Sequence, residues 1–163
     1  GQAADLARID ILPGSVFTRL TSGKQVSFAQ WSTDGMHVDY LDALSSSVGT
    51  LHVLEIRTGV DSLIATGVVN NPVPVWSTDG QELQYSTGTR IGIVNLQVGH
   101  KVLYLKLNGV VSSFAWSVAS SHQVVVALRD TPQGVYLVDT SQNTYLQMDK
   151  LGASGPIEWT EIP

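Results

Sequence analysis

A pentapeptide that occurs twice limits what this chain can fold into. The sequence WSTDG stands at residues 31–35 and again, unchanged, at 76–80. Tryptophans continue at a similar interval, with separations of 45, 40 and 43 residues, at Trp31, Trp76, Trp116 and Trp159. Self-similarity at a period of about 40–50 residues is typical of repeat architectures in which each unit is one supersecondary motif. This spacing therefore predicts a fold built of stacked repeat units.

A second pattern keeps step with the tryptophans. It is apolar at its first and fourth positions and polar at its fifth, and it occurs at 6–10, 51–55, 91–95 and 135–139. From the start of each pattern to the next tryptophan is 25, 25, 25 and 24 residues, so half of each repeat has a constant length. The other half carries the length variation, as expected for variable loops on a constant scaffold.

Within one period we predict four short strands separated by turns. In the second full period they are 71–76, 81–86, 91–97 and 101–107. Dipeptides such as Asp79-Gly80 between alternating runs indicate β-hairpins, and no segment has a sustained helical period of apolar residues. Four antiparallel strands every 40–45 residues are typical of a propeller blade. The predicted fold class is therefore an all-β propeller with almost no helix.

The strand count predicts one domain, residues 1–163, that forms an incomplete ring. Full blades of four antiparallel strands are expected at roughly 26–67, 71–107 and 111–149, and a partial blade from 6–22 and 155–160. The chain would then be a piece of a longer propeller or a ring that another chain completes. A small or distorted four-blade ring and an open arc are the alternatives. Open sheet edges favour association, so an open arc would form a homo-oligomer through its blade edges.

The stretch VPVWSTDGQELQYST at 73–87, with IGIVNLQVG at 91–99, resembles the TolB-type β-propeller repeat, which is related to the WD-repeat propellers. The family repeat has Trp-Ser-Pro-Asp-Gly here, and Thr33 and Thr78 stand where its proline would be. The third copy, WSVAS at 116–120, lacks Asp-Gly. The resemblance extends in register over nearly the whole chain. It implies the propeller fold and favours a bacterial periplasmic or extracellular location.

Composition and missing motifs limit the function classes. Nine lysines and arginines against 14 acidic residues give a net charge of −5, without the basic stripe of a nucleic-acid-binding protein. No apolar run reaches the roughly 18 residues of a spanning helix, so we expect no membrane insertion. There is no cysteine, no phosphate-binding glycine loop and no Gly-x-Ser-x-Gly nucleophile motif. We predict a chain that is not itself an enzyme and holds no cofactor or metal.

Most polar and aromatic residues at repeat positions are assigned structural roles. The four tryptophans are predicted to pack between consecutive blades, and Asp34 and Asp79 to form hairpin turns. The histidines lack the spacing of metal ligands. The polar fifth positions could surround a cation, although bonding of nearby backbone at a strand end is the favoured role; these positions are Asp10, Glu55, Asn95 and Asp139.

Binding residues are expected on the loops at one end of the blades, where the connections between blades meet those between second and third strands. The candidates for contact with a partner are Arg90, Arg129, Asp130, Asn70 and Asn71. If the strand prediction holds, Arg90 and Arg129 lie on one face in neighbouring blades, where they could meet an acidic partner. The alternative is two solvated arginines.

These observations predict a non-catalytic platform that binds another protein, or a ligand, with loops held in fixed relative positions. Two alternatives come from other classes of protein. The chain could be the propeller part of a larger enzyme, such as a prolyl-oligopeptidase-type peptidase in which a separate hydrolase domain does the chemistry. It could also be the sensor ectodomain of a signalling protein.

Overall fold

Antiparallel β-strands make up all the regular structure in the part of the chain that the computed structural model describes. That part comprises residues 4–10, 14–43, 45, 47–97, 101–106, 109–120, 122–130, 133–142 and 144–149. The described residues contain three four-stranded sheets and one two-stranded sheet. No helix in them is long and apolar enough to span a membrane.

The sheets follow one another along the chain, each with its strands in sequential order. The partial blade contains β1 (Ala7–Arg8) and β2 (Thr18–Arg19). Blade 1 contains β3 (Val26–Trp31), β4 (His37–Ala43), β5 (Val48–Glu55) and β6 (Asp61–Val69). Blade 2 contains β7 (Val75–Trp76), β8 (Glu82–Ser86), β9 (Arg90–Asn95) and β10 (Lys101–Lys106). Blade 3 contains β11 (Val111–Trp116), β12 (Gln123–Leu128), β13 (Gly134–Asp139) and β14 (Thr144–Asp149).

Three full blades and a partial blade confirm the predicted architecture. One strand is much shorter than predicted, because β7 begins at Val75 rather than near residue 71. Pro72 and Pro74 lie in that stretch, and proline has no N–H to donate to a sheet ladder. The strand predicted at 155–160, with Trp159, lies outside the described residues.

Each WSTDG copy closes its own hairpin with the same set of hydrogen bonds. In the first copy the Ser32 hydroxyl donates to Asp34 Oδ1 (2.5 Å). The backbone N–H groups of His37 and Met36 donate to Ser32 Oγ and Asp34 Oδ1, both at 2.9 Å. The second copy, at 76–82, repeats these bonds at 2.7, 2.9 and 3.0 Å. The serine and aspartate therefore satisfy backbone donors that a tight turn leaves unpaired, which confirms the predicted turn role.

The two hairpins also contact each other across the boundary between blades 1 and 2. The Thr33 hydroxyl donates to the Ser77 carbonyl oxygen (2.8 Å). Gly80 has φ +72°, and a Cβ added to it would lie 2.7 Å from Asp34 Cγ. The duplicated pentapeptide thus has two functions, since it closes each hairpin and lets consecutive hairpins stack.

The stacking contact predicts unequal effects for the same substitution in the two copies. Gly35→Ala should cost about 1–2 kcal/mol, because φ is +70° but no atom lies within 4 Å of an added Cβ. Gly80→Ala should cost about 1–3 kcal/mol more, because it also overpacks against Asp34. Urea denaturation of both variants tests this, and equal losses would contradict the proposed contact between the hairpins.

Trp76 and Trp116 join consecutive blades as predicted. Each is only 5% exposed. Trp76 packs with Leu41 and Leu51 of blade 1 and with Leu83 of its own blade. Trp116 belongs to the cluster that joins Ile91 and Ile93 of blade 2 to blade 3, and its indole N–H donates to the Val75 carbonyl oxygen (3.0 Å).

The same prediction is wrong for Trp31, whose side chain is 49% exposed. The cause is the preceding sheet. Trp76 and Trp116 pack against full blades, whereas the sheet before Trp31 has only two strands, β1 and β2. The residues that would cover the indole ring are not supplied by the described part of the chain.

Two of the polar fifth positions have the predicted strand-end role. Asn95 Oδ1 accepts from the Gln97 N–H (3.0 Å). Asp139 Oδ1 accepts from the N–H groups of Ser141 and Gln142 at 2.9 and 3.0 Å. The other two positions interact with side chains. Glu55 accepts a hydrogen bond from the Thr58 hydroxyl (2.8 Å), and Asp10 forms an ion pair with the Arg8 guanidinium (3.6 Å).

Candidate functional site

The candidate site is one end of the stacked blades, which we call the loop face. It carries the connections from second to third strands, such as 87–89, and the connections between blades, such as 70–74. The hairpins from first to second strands lie at the other end, which we call the hairpin face. The strands of each blade are antiparallel and in sequential order. Successive connections along the chain must therefore lie alternately on the loop face and on the hairpin face.

Backbone hydrogen bonds join neighbouring connections on the loop face. The Val111 N–H donates to the Gly88 carbonyl oxygen (2.9 Å), and the Arg129 N–H donates to the Val110 carbonyl oxygen (3.0 Å). The turn of blade 2, the connection to blade 3 and the turn of blade 3 are thus linked in series. Loops tied in this way lose little conformational entropy when a partner binds.

Arg90 and Arg129 lie on these linked loops in adjacent blades. Arg90 is the first residue of β9, and Arg129 follows β12 directly. Both are exposed, as is Asp130. Two other cations at this end are paired: Lys24 Nζ lies 3.3 Å from Asp42 Oδ2, and Arg19 is paired with Asp5. Arg90 and Arg129 are in no ion pair within the described residues.

Asn70 and Asn71 lie on the same face, in the connection from blade 1 to blade 2. The Asn70 N–H donates to the Ser47 carbonyl oxygen (3.2 Å), which ties this connection to the β4–β5 turn. Asn70 is half-buried and Asn71 is exposed. The structure thus places all five candidate residues at one end, with the two arginines in consecutive blades.

The hairpin face carries mainly acidic residues. Its turns carry Arg57, but acidic residues outnumber it there; they are Asp34, Glu55, Asp61, Asp79 and Asp139. These carboxylates mostly serve the turns, and no group of three or more acidic or histidine residues in the described ranges could hold a metal ion. Among the side chains that the structure describes, the two arginines without an ion pair, Arg90 and Arg129, both lie on the loop face.

Sequence reasoning missed a buried carboxylate at the boundary of blades 1 and 2. Asp39 is fully buried in β4, where its Oδ1 accepts from the Trp76 indole N–H (2.5 Å). Gln30 Nε2 lies 3.3 Å from Oδ2. Burial raises the pKa of Asp39 to about 7, against the opposing effect of these hydrogen bonds. A polar residue at a core position of β4 was the available signal, but its partner lies 37 residues away.

A second missed cluster contains Tyr40, His52 and Asp61 on three consecutive strands of blade 1. The Tyr40 hydroxyl donates to Asp61 Oδ2 (2.6 Å), and His52 Nδ1 lies 3.1 Å from Asp61 Oδ1. The rings of Tyr40 and His52 stack at 4.9 Å. Burial and the Asp61 carboxylate raise the pKa of Tyr40 well above its usual range. The cluster joins three strands, and its tyrosine hydroxyl stays protonated.

The arrangement of the blades is similar to that in solved β-propeller structures. The chain is similar to the β-propeller domain of Myceliophteria thermophila Cps50 (Swd1), with a TM-score of 0.64 and 16% identity over 96% of this chain and 57% of that one. It is also similar to TolB from Acinetobacter baumannii, with a TM-score of 0.54 and 15% identity over 82% of this chain and 34% of that one.

The chain has a TolB-like, WD-repeat-like β-propeller fold. This confirms the resemblance seen in the pentapeptide repeats. The propeller also resembles Porphyromonas gingivalis dipeptidyl peptidase 4, with a TM-score of 0.65 and 12% identity over 88% of this chain and 30% of that one. The chain spans less than two thirds of each of these structures. Its sequence matches no protein-family profile and no curated protein.

Proposed function

We propose that this propeller is a non-catalytic binding module whose loop face engages an acidic segment of a partner protein. The observation that carries the proposal is the pair Arg90 and Arg129, both exposed, in consecutive blades and on loops tied together by backbone hydrogen bonds. Guanidinium groups bind carboxylates through two parallel N–H donors. Two such groups on a rigid support suit an acidic peptide better than a single carboxylate.

The other loop-face residues complete the proposed surface. Asn70 and Asn71 would offer amide donors and acceptors to the partner's backbone. Asp130, beside Arg129, would repel a carboxylate at that position and so fix the register of the acidic segment. The chain has a net charge of −5, so attraction has to come from this local pair rather than from the overall field.

Binding of a labelled hexaglutamate peptide, followed by fluorescence anisotropy, tests the proposal. We expect the double variant Arg90→Ala, Arg129→Ala to bind at least about tenfold more weakly, because two charge-assisted contacts are lost. Arg57→Ala is the matched control, since its side chain is 85% exposed at the hairpin face. Binding by the double variant equal to the parent's, or an equal loss in the Arg57 variant, would refute the loop-face assignment.

A second candidate is that the chain is the propeller part of a larger enzyme. Two structures with similar folds are named as enzymes, the dipeptidyl peptidase above and an oligogalacturonate lyase in complex with manganese, the latter with a TM-score of 0.60 and 15% identity over 88% of this chain and 41% of that one. The coding sequence on either side of residues 1–163 separates the candidates. A hydrolase domain with a Gly-x-Ser-x-Gly motif would favour the enzyme.

A further inference from the structure

The turns that carry the two arginines of the loop face are joined through a single peptide group. The Val111 N–H donates to the Gly88 carbonyl oxygen (2.9 Å). The Val110 carbonyl oxygen accepts from the Arg129 N–H (3.0 Å). This N–H and this C=O belong to the same peptide group, and in a trans peptide group the two point in opposite directions. The turn of blade 2 and the turn of blade 3 therefore lie on opposite sides of it, each one hydrogen bond away.

This link sets the distance between the backbones that carry the guanidinium groups. Hydrogen-bonded neighbouring backbones lie about 4.8 Å apart, so two successive bonds separate Gly88 from Arg129 by about 10 Å. Arg90 belongs to the same tight turn as Gly88, because the Thr87 N–H donates to the Arg90 carbonyl oxygen (3.0 Å). Two guanidinium charges repel each other, which favours this full separation over convergence of the side chains. The arginine pair is thus anchored at a spacing on the order of 10 Å.

An apolar residue lies between the two arginine anchors. Val110 is half-buried, and its carbonyl group is the one that holds the Arg129 N–H. A partner segment that reaches from Arg90 to Arg129 has to pass over Val110. Contact with this valine favours apolar residues at that point of the partner. Proline suits it well, because it has no backbone N–H to lose a hydrogen bond to water.

We propose that the loop face selects a partner segment in the polyproline II conformation, with two acidic residues three positions apart and proline between them. This inference rests on the proposed function and specifies the partner of the same surface. In a polyproline II helix, residues i and i+3 point the same way and lie about 9 Å apart, which matches the spacing of the arginine anchors. Side chains on one side of an extended strand lie about 7 or 13 Å apart. An α-helix reaches about 10 Å only between residues seven positions apart.

A series of proline-rich peptides with two glutamates each tests the spacing. The glutamates stand two, three or five positions apart in labelled peptides of equal length and charge. Fluorescence anisotropy should show at least about tenfold tighter binding for the spacing of three, because only that peptide engages both arginines at once. For this peptide, Arg90→Ala and Arg129→Ala should each weaken binding at least about tenfold. For the other spacings each variant should cost only about twofold, because the remaining arginine still binds one glutamate at a time.

The outcomes separate this inference from the proposed function. Equal binding at all three spacings would overturn the inference, and so would tighter binding of a helical peptide with glutamates seven positions apart. In either case a loss of hexaglutamate binding in the double variant Arg90→Ala, Arg129→Ala would still support the proposed function. If that double variant binds every peptide as the parent does, or if the parent binds none of them, both the inference and the proposed function are overturned.

Discussion

Replacing Trp76 by alanine is expected to lower the free energy of unfolding by about 3–5 kcal/mol. The indole ring is 5% exposed and packs between blades 1 and 2. Its N–H donates to Oδ1 of the buried Asp39 (2.5 Å). The substitution therefore opens a cavity and also removes a hydrogen bond from a carboxyl group that has no access to water. Urea denaturation followed by far-ultraviolet circular dichroism measures the loss.

Two control variants separate the causes of this loss. Trp31→Ala occupies the same repeat position but is half exposed, so we expect it to cost about 1 kcal/mol or less. Trp76→Phe keeps an aromatic ring but loses the N–H donor together with part of the indole volume, and it should fall between the parent and Trp76→Ala. Equal losses for Trp31→Ala and Trp76→Ala would show that burial between full blades does not distinguish the two positions.

The stability of the parent is expected to fall as pH rises from about 4 to about 7 through the ionisation of Asp39. Burial raises its pKa to about 7 from 3.8, so the folded state holds this proton more tightly than the unfolded state does. The stabilisation is complete below the unfolded pKa and is lost as pH rises through the folded pKa. Roughly three pKa units correspond to at most about 4 kcal/mol.

Asp39→Asn provides the comparison, because its amide oxygen can still accept the Trp76 N–H and does not ionise. The variant should be about as stable as the parent, or slightly less stable, at pH 4. It should become the more stable protein by pH 8. Chemical denaturation of both proteins at several pH values measures the difference, which also cancels the contributions of other carboxylates such as Asp5. A difference that stays constant with pH would contradict the assignment to Asp39.

The fold was predictable because its signals are local and recur. Asp-Gly turns and alternating runs define each strand, and the tryptophan spacing defines each blade. The same logic predicted which end carries Arg90 and Arg129, since antiparallel strands in sequential order allow no other arrangement. The shortened β7 was also within reach, because Pro72 and Pro74 remove ladder donors.

The missed features depend on which repeat lies next to which. Trp31 has the same local sequence as Trp76, and its exposure follows only from the two-stranded sheet before it. Eight residues after successive tryptophans stand Asp39, Gln84 and Val124. Because the side chain at this position differs in every repeat, the repeat pattern does not reveal that Asp39 pairs with Trp76. The exposure of Trp31, the burial of Asp39 and the bond between Asp39 and Trp76 could be seen only in the structure.

The contact between the two hairpins makes the order of the units matter. The Thr33 hydroxyl reaches the Ser77 carbonyl oxygen because both units carry the same turn. The unit that follows has Ser117 in a different loop, WSVAS, which lacks the Asp-Gly pair. Gene shuffling that moved this last module in front of Trp76 would deprive Ser77 of its hydroxyl donor, whereas a further copy of the first module would preserve it. The hydrogen bond to the Ser77 carbonyl oxygen is therefore kept when the module in front of Trp76 carries WSTDG, and it is lost when that module carries WSVAS.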